Sequence, residues 1–576
     1  MSRRALDAGS LGGKATLLDV MCRLFLCLAL AGLPLLASEP VRTRKAMVVA
    51  QEPHATDTGV AVLKAGGNAV DAAVAVALAL AVTHPSAGNL GGGGFLLLRK
   101  ASGEVTFIDF REKAPAAASR DMYLDKDGKP TRDSVVGWRA AGIPGTVRGL
   151  ELAHKKYGRK PWAGLVAPAV KLARDGVTLS YAEARSLQSA AKLLSPFPES
   201  NRLFLRSGKF YEAGEKLVQP ELARTLKRIQ RLGSKDFYEG ETARILAAEM
   251  AKNGGLITLD DLKNYRAQER TPLRTTYKGV ELILPPPPSS GGILLTQILG
   301  MLAGSGYEKS GFGSAQTYHW VAEAMKRAYA DRAEYLGDPG FVKVPVQALT
   351  SRAYIDRLRA SIDPNHATPA EQVRNGPLPA PEPTETTHFS IVDAEGNAVA
   401  LTYTINGSYG NGVTVPGLGF LMNNEMDDFV AKPGVPNMFG AVGGEANSIQ
   451  PGKRPLSSMT PTIALKDGKL YLVLGAPGGT RIPNGVLQAF LNVVDFKMNM
   501  QQAIDAPRIH NQWKPDKLYI MGEVSPDTAQ LLRQRGHTVE ITNGGVARVE
   551  GILVQDGWLQ GGSDSGSRQS GKAAGY

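Results

Sequence analysis

The sequence PTETTHFS, at positions 383–390, joins two segments of opposite character. The segment before it, 361–385, holds six prolines and few large apolar residues, which is typical of an exposed, extended linker. After it, two strand-like runs joined by a turn at 395–397 predict a β-hairpin with strands at 387–392 and 398–405. A threonine that starts such a strand can act as a nucleophile, with its own amine as the base, once the chain is cut before it. The spacing alone favours an ordinary linker before a strand, with threonine as a strand-forming residue, and the nucleophile remains the second interpretation.

Working outward from this junction, the pattern predicts an α+β chain. A short strand at 46–50 precedes a helix at 69–82, which Asn68 can cap and whose Ala, Val and Leu content indicates burial. Two strands follow at 95–99 and 105–109, and residues 115 to 280 look mainly helical. The pattern in the last third of the chain predicts antiparallel strands at 461–466, 470–475, 517–521, 538–541 and 551–555.

Composition excludes several classes of protein. The 576 residues are 43% hydrophobic and 21% charged, which indicates a globular chain of two to four domains or one large one. Its two cysteines, Cys22 and Cys27, both lie near the N-terminus. The remainder can therefore hold neither a disulfide scaffold, nor a cysteine-ligated metal, nor a cysteine nucleophile.

The N-terminus resembles a secretory signal peptide. Four basic residues precede an apolar run at 24–37, and small or polar residues follow it. We expect a signal peptide at 1–38, a periplasmic or secreted protein, and no stable membrane span after the signal is removed. An uncleaved N-terminal anchor is the alternative.

The net charge of +12 raises the possibility of nucleic-acid binding, but the Lys and Arg residues are scattered and no nucleic-acid motif is present. We expect no nucleic-acid partner and instead a field that attracts anionic substrates. The eight histidines form no His-x-x-x-His or His-x-His pair, so we expect no metal site. The glycine run 91–94 lacks the residues of a phosphate loop, and we expect no cofactor.

The stretch Thr386-Thr387-His388-Phe389-Ser390 resembles the processing site of the γ-glutamyltranspeptidase family, which belongs to the N-terminal nucleophile hydrolases. The resemblance runs from about residue 45 to Tyr576. Its segments are 71–73, 83–95, 109–112, 142–147, 286–292, 329–332, 335–339, 423–429, 455–461, 475–479 and 574–576. It implies a four-layer αββα sandwich and a precursor cut between Glu385 and Thr386. The large subunit would be 39–385, with the linker 361–385 at its end, and the small catalytic subunit would be 386–576; the two would pair as a heterodimer.

The same resemblance implies a catalytic group. Thr386 would be the nucleophile, and the hydroxyl of Thr404 would bind the amine of Thr386. Gly478 and Gly479 would form the oxyanion hole, where bare backbone N–H groups can approach the tetrahedral oxygen.

A substrate-binding group is implied beside it. The clamp on the α-carboxylate would consist of a guanidinium and two hydroxyls: Arg111, Ser457 and Ser458. The pocket for the α-ammonium would consist of an amide and two carboxylates: Asn406, Glu425 and Asp428. Taken singly, each of these residues has an ordinary structural explanation, such as an ion pair, a turn or a loop.

The activity implied is hydrolysis or transfer of the γ-glutamyl group of glutathione and related compounds, with water, an amino acid or a peptide as acceptor. Two alternatives are an acylase of the same fold, for glutaryl-type side chains, and a non-catalytic extracytoplasmic binding protein. Phe439 is a departure, because several bacterial relatives carry there a Tyr that closes a lid by hydrogen bonding. Phe439 either leaves the lid looser or packs it shut without a hydroxyl. His388 is expected to be structural.

Overall fold

Two seven-stranded sheets, both antiparallel throughout, form the centre of the molecule. The computed structural model describes residues 38–373, 386–542, 545–564 and 571–576. The predicted signal peptide, apart from residue 38, and the linker residues 374–385 lie outside the described residues. The strands, in chain order, are β1 Val41–Thr43, β2 Met47–Ala50, β3 Gly93–Arg99, β4 Val105–Asp109, β5 Val177–Thr178, β6 Lys216–Leu217, β7 Gln268–Arg270, β8 Leu273–Tyr277, β9 Val280–Leu284, β10 Thr387–Val392, β11 Ala398–Thr404, β12 Thr462–Lys466, β13 Lys469–Gly475, β14 Ile509–His510, β15 Leu518–Met521, β16 Val539–Thr542, β17 Glu550–Gln555, β18 Trp558–Ser563 and β19 Lys572–Gly575.

The first central sheet has the order β19-β2-β10-β11-β3-β4-β7, and the second has the order β1-β18-β17-β13-β12-β9-β8. Two small sheets, β14-β15-β16 and β5-β6, accompany them. The predicted hairpin is confirmed: β10 and β11 pair from Thr387↔Tyr403 to Val392↔Ala398. Because β2 and β3 flank this hairpin, the junction that decides the fold lies in the middle of a sheet.

Alternation along the strands explains why the sheets stack. Met47 and Val49 of β2 belong to the core that includes the second sheet, whereas Val48 belongs to the core on the other side, which contains Ala69–Thr83. Successive side chains of a strand point to opposite faces, so a strand that is apolar on both faces is covered on both. The first sheet is therefore covered by the second sheet on one face and by helices on the other.

Helices form the two outer layers. Ala69–Thr83 is buried along its whole length, and the Asn68 side chain caps it by accepting from the Asp71 N–H, as predicted. The layer on the first sheet consists mainly of Pro53–Lys64, Ala69–Thr83, Thr146–Tyr157, Trp162–Asp175, Pro220–Leu232, Ser234–Glu239, Glu241–Lys252 and Leu259–Asn264. The layer on the second consists mainly of Gly291–Leu302, Ala315–Tyr335, Arg352–Ala360, Ile482–Val494, Met500–Asp505 and Pro526–Gln534. The remaining short helices are Tyr181–Ser189, Ala191–Leu194, Pro198–Phe204, Val346–Leu349 and Ala370–Val373.

Two sequence predictions are wrong in part. In the region 115–280, expected to be mainly helical, residues 115–145 contain a single short 3₁₀ helix, Trp138–Ala140, and strands β7 and β8 lie near its end. Within the predicted extended linker, Ala370–Val373 is helical and Ala370 is buried, because Asp516 accepts from its N–H and the Trp513 indole donates to its carbonyl. In the described part of the chain, no helix is both long and apolar enough to cross a membrane.

Candidate active site

Two threonine hydroxyls meet at one end of the central hairpin. Thr386 directly precedes β10 and Thr404 ends β11, so the antiparallel register brings them side by side. The Thr386 hydroxyl donates to the Thr404 hydroxyl at 3.3 Å, and both residues are buried. The backbone N–H of Asn406 donates to Thr404 Oγ1 at 2.8 Å, which fixes this second hydroxyl in place.

A narrow cavity opens beside this pair, with free space of about 340 Å³ including the part open to solvent. All but one of the ten sequence-predicted site residues line it: Arg111, Thr386, Thr404, Asn406, Glu425, Asp428, Ser457, Ser458 and Gly479. The exception, Gly478, is the neighbour of Gly479 in the chain. Residues that are far apart in sequence therefore surround one small volume.

Arg111 lies at the floor of the cavity, just beyond the end of β4. Its guanidinium pairs with Glu425, and with Asp428 at 2.5 Å. Its remaining bonds go to the carbonyls of Pro455 at 3.3 Å and Leu456 at 3.2 Å. Burial alone would lower the pKa of Arg111, but the carboxylates around it raise this pKa overall, so the guanidinium stays charged.

The cavity floor carries more carboxyl groups than cations. Glu112 lies 3.7 Å from the Arg111 guanidinium and is fully buried. Burial raises the pKa of Glu112 to about 7 and raises that of Glu425 well above its usual range. Three carboxyl groups, those of Glu112, Glu425 and Asp428, thus face one guanidinium, and a second cation such as a substrate ammonium would be favoured there.

Ser457 and Ser458 lie on the loop before β12. The Ser457 hydroxyl oxygen accepts from the Met459 N–H at 3.1 Å, and the Ser458 oxygen accepts from Arg332 Nη2 at 3.2 Å. An oxygen that already accepts a fixed hydrogen bond presents its own proton to another acceptor. Both hydroxyls are therefore suited to donate to an anion in the cavity.

Gly478 and Gly479 form the turn between β13 and the helix Ile482–Val494. Their φ angles are 139° and 53°, in the region that side chains with a Cβ rarely adopt. A Cβ on Gly479 would also lie 3.1 Å from the Phe439 ring. The turn therefore requires glycine for its backbone conformation and for the close approach of Phe439.

The loop 436–447 covers the cavity and carries Phe439, which is 3% exposed. Asp427 Oδ2 accepts from the Met438 N–H at 2.8 Å, and Asn437 Nδ2 donates to Asp428 at 3.3 Å. Gln512 donates to the Gly440 carbonyl at 3.2 Å. The loop is thus held over the cavity by side-chain bonds at several points and by the packing of Phe439.

His388 lies between the sheets with hydroxyl partners, Thr402 at 2.8 Å and Ser390 at 3.0 Å. Burial lowers the pKa of His388 to about 3, so the ring is neutral. Both of these partners are hydroxyl groups, and the ring fills the space above Gly475. This environment fits the structural role that the sequence suggested.

The sequence analysis did not predict two of the residues that lie at the cavity. Arg332 and Glu112 border the cavity or its floor, yet neither was assigned a role. Both lie inside segments that resemble the family, 329–332 and 109–112, which was the available signal. Nothing in their local spacing shows that the fold turns them toward the cavity.

Comparisons with known proteins agree with this geometry. The family model described as Gamma-glutamyltranspeptidase matches residues 55–576. A glutathione hydrolase proenzyme of Escherichia coli (strain K12) is 50% identical over 528 residues, which cover 91% of this chain and 91% of that protein. The crystal structure of a cephalosporin acylase from Bacillus halodurans superposes with a TM-score of 0.82 at 28% identity, covering 93% of this chain and 97% of that one. A γ-glutamyltranspeptidase structure from Helicobacter pylori is 44% identical with a TM-score of 0.55, covering 56% of this chain and 93% of that one.

Proposed function

Because the chain belongs to the γ-glutamyltranspeptidase family, we propose that it is a self-processed γ-glutamyl hydrolase and transferase with Thr386 as its nucleophile. The donor is glutathione or another γ-glutamyl amide, and the acceptor is water, an amino acid or a peptide. The observation that carries the proposal is the Thr386–Thr404 hydroxyl pair in a cavity that also holds Arg111 and an excess of carboxyl groups.

The reaction follows from the position of Thr386 at the start of β10. Cleavage between Glu385 and Thr386 frees the α-amine of Thr386, which takes the proton from Thr386 Oγ1 as that oxygen attacks the γ-carbonyl carbon. The N–H groups of Gly478 and Gly479 stabilise the negative oxygen of the tetrahedral intermediate. The leaving amine takes the proton, and a γ-glutamyl ester remains on Thr386. Water or a second amine then attacks this ester and restores the hydroxyl.

Substrate recognition uses the two ends of the glutamyl zwitterion. The α-carboxylate is bound by Arg111, Ser457 and Ser458, and the α-ammonium by Asn406, Glu425 and Asp428. Arg111 already pairs with Glu425 and Asp428. A zwitterion can replace those pairs with one ammonium and one carboxylate and leave the charge balance of the cavity floor unchanged.

An acylase for glutaryl-type groups is the second candidate, because a cephalosporin acylase shares this fold. A glutaryl group has no α-ammonium, so it would leave the carboxyl groups around Arg111 without the extra cation. The charge of the cavity floor therefore favours the γ-glutamyl group.

The test compares γ-glutamyl-p-nitroanilide with glutaryl-p-nitroanilide. We expect the wild-type enzyme to prefer the γ-glutamyl compound, and Asp428→Asn to reduce that preference by about ten- to a hundredfold, the size of one hydrogen bond to a charged group. Asp427→Asn is the matched control, because the Asp427 carboxylate bonds Ser134 and Met438 instead of Arg111. A wild-type preference for the glutaryl compound would establish the acylase instead.

We also propose that the protein acts outside the cytoplasm and that residues 386–576 remain bound to residues 39–385 as a heterodimer. The basic and apolar pattern at 1–38 supports the location. The pairing is supported by β10 and β11, which lie between β2 and β3 of the same sheet. Cell fractionation followed by size-exclusion chromatography tests both points.

A further inference from the structure

Arg332 is a buried residue of the active-site wall that contributes a second guanidinium. It lies on the helix Ala315–Tyr335, is 8% exposed and lines the same cavity as Thr386. Its Nη2 donates to Ser458 Oγ at 3.2 Å, and its Nε donates to Ser290 Oγ at 3.3 Å. Ser290 Oγ in turn donates to the Ser457 carbonyl at 2.9 Å. One side chain is therefore connected to both members of the serine pair.

The two serine hydroxyls are oriented by different donors. A backbone N–H, that of Met459, donates to Ser457 Oγ, whereas a charged side chain, that of Arg332, donates to Ser458 Oγ. A hydrogen bond from a guanidinium polarises the hydroxyl and leaves its proton free to bind an anion. Loss of Arg332 would free the Ser458 hydroxyl to rotate, while the Ser457 hydroxyl would keep its donor.

Arg111 alone does not account well for recognition of the substrate α-carboxylate. Its guanidinium already donates to Glu425, Asp428 and the carbonyls of Pro455 and Leu456. The side chains of Glu425 and Asp428 already occupy donors of this guanidinium, so they compete with an incoming carboxylate for it. A second positive charge beside Ser458 would add to the attraction for that carboxylate.

We propose that Arg332 is a positioning residue for recognition of the substrate α-carboxylate, because it directs the Ser458 hydroxyl proton toward that group and places positive charge behind it. The inference rests on the proposed function and deepens it: Arg332 helps the site to select acyl groups that carry an α-carboxylate. The acyl group that lacks it, with the ammonium kept, is 4-aminobutyryl.

A double-mutant cycle tests the coupling between the two side chains. We measure kcat/KM for γ-glutamyl-p-nitroanilide with the wild type, Arg332→Gln, Ser458→Ala and the double variant, all checked for complete processing on a denaturing gel. We expect Arg332→Gln to lower kcat/KM by about ten- to a hundredfold, mainly through KM. In the Ser458→Ala background the same change should cost several-fold less, because only the contribution of the positive charge is then left to lose. Equal losses in both backgrounds would overturn the proposal.

A second readout separates positioning from a structural role. Arg332→Gln should leave kcat/KM for 4-aminobutyryl-p-nitroanilide within about threefold of the wild type, since that compound lacks the carboxylate. Arg332→Lys should recover part of the loss on the γ-glutamyl compound, because lysine keeps the positive charge. It cannot donate to Ser458 and Ser290 together, as the forked guanidinium does. If Arg332→Gln remains uncut, Arg332→Lys replaces it in both experiments.

Equal losses on the two compounds would overturn the positioning role. The result is distinguishable from a failure of the proposed function, which would appear as a wild-type enzyme with no activity on γ-glutamyl-p-nitroanilide.

Discussion

Arg111 illustrates how one side chain depends on an exact donor geometry. Its planar fork holds two carboxylates and two backbone carbonyls within a fully buried site. A lysine ammonium has three donors on a single nitrogen and cannot reproduce this arrangement. The identity of this residue therefore affects the cavity floor and, in the proposed function, the binding of substrate there.

We predict that Arg111→Lys raises KM for γ-glutamyl-p-nitroanilide by at least about tenfold while the chain still cleaves itself, because the clamp loses charged hydrogen bonds. Steady-state kinetics and a denaturing gel measure the two effects. The control is Arg274→Lys, the same substitution at an exposed arginine that pairs with Glu281. An unchanged KM in fully processed Arg111→Lys enzyme would show that Arg111 is not the clamp.

At the scale of single residues, the sequence was informative where a side chain lies inside a recognisable motif. Thr386, Arg111 and the pair Ser457 and Ser458 are predicted as site residues in this way, and the structure brings them to one cavity. Arg332 was not identified as a site residue, because its partner Ser458 lies 126 positions further along the chain. Such a contact depends on how the helix Ala315–Tyr335 packs, which local spacing does not reveal.

In the proposed function, the loop 436–447 controls the balance between hydrolysis and transfer. A covered acyl-enzyme excludes water, whereas an open loop admits it. The sequence left open whether Phe439 weakens the loop or packs it shut. The burial of Phe439 against Gly479 favours packing.

We predict that Phe439→Ala lowers the ratio of transfer to hydrolysis several-fold, because it removes a buried ring, a change that costs about 3–5 kcal/mol in protein cores. Phe439→Tyr should leave the ratio within about twofold, since the ring is retained. Partition ratios at one fixed glycylglycine concentration measure both. A several-fold increase with Tyr would instead support the missing hydrogen bond, and an unchanged ratio with Ala would reject packing.

Asp427, whose carboxyl group accepts from the loop residue Met438, is expected to change its protonation state between pH 4 and 7. Burial raises the pKa of Asp427 to about 6, above the value near 3.9 of an unfolded chain. The stabilisation from the protonated group is fully present below about pH 3.9 and is lost as the pH rises through about 6. The ionised carboxylate at pH 7 is thus less favourable than a neutral group in the same place.

We therefore predict that Asp427→Asn gains stability relative to the wild type as the pH increases from 4 to 7. The amide can accept from the Met438 N–H and donate to Ser134 Oγ, so both contacts survive. The relative change in Tm should be on the order of 2 °C. Thermal melts of both proteins across this pH range measure it, and a constant difference in Tm would contradict the assignment.

Elements with strong local signals were predicted well. The hairpin β10–β11 combines two strand-forming runs with a glycine turn, and Ala69–Thr83 combines an apolar composition with an Asn cap. Strands β18 and β19 are among those that the sequence did not predict, because Trp558–Ser563 contains two glycines and Lys572–Gly575 is too short to show alternation. They exist because β17 and β2 offer edges for pairing.

For the whole molecule, the sheet order lay beyond local reasoning. Strand β10 pairs with β2, so that Phe389 lies opposite Ala50, although these strands are far apart in the chain. Only the family resemblance implied the αββα layers. The order also explains why a cut before Thr386 can leave the fold intact: β10 is held between β2 and β11 by backbone hydrogen bonds that the cut does not touch.

The most direct test is the state of the chain at Thr386. Purified wild-type protein should migrate as two fragments on a denaturing gel, and N-terminal sequencing of the smaller one should begin at Thr386. Thr386→Ala should remain one uncut chain with no activity on γ-glutamyl-p-nitroanilide, because the hydroxyl that makes the cut and attacks the substrate is absent. A small fragment that begins at any other residue, or an active uncut Thr386→Ala protein, would contradict Thr386 as the self-processing nucleophile.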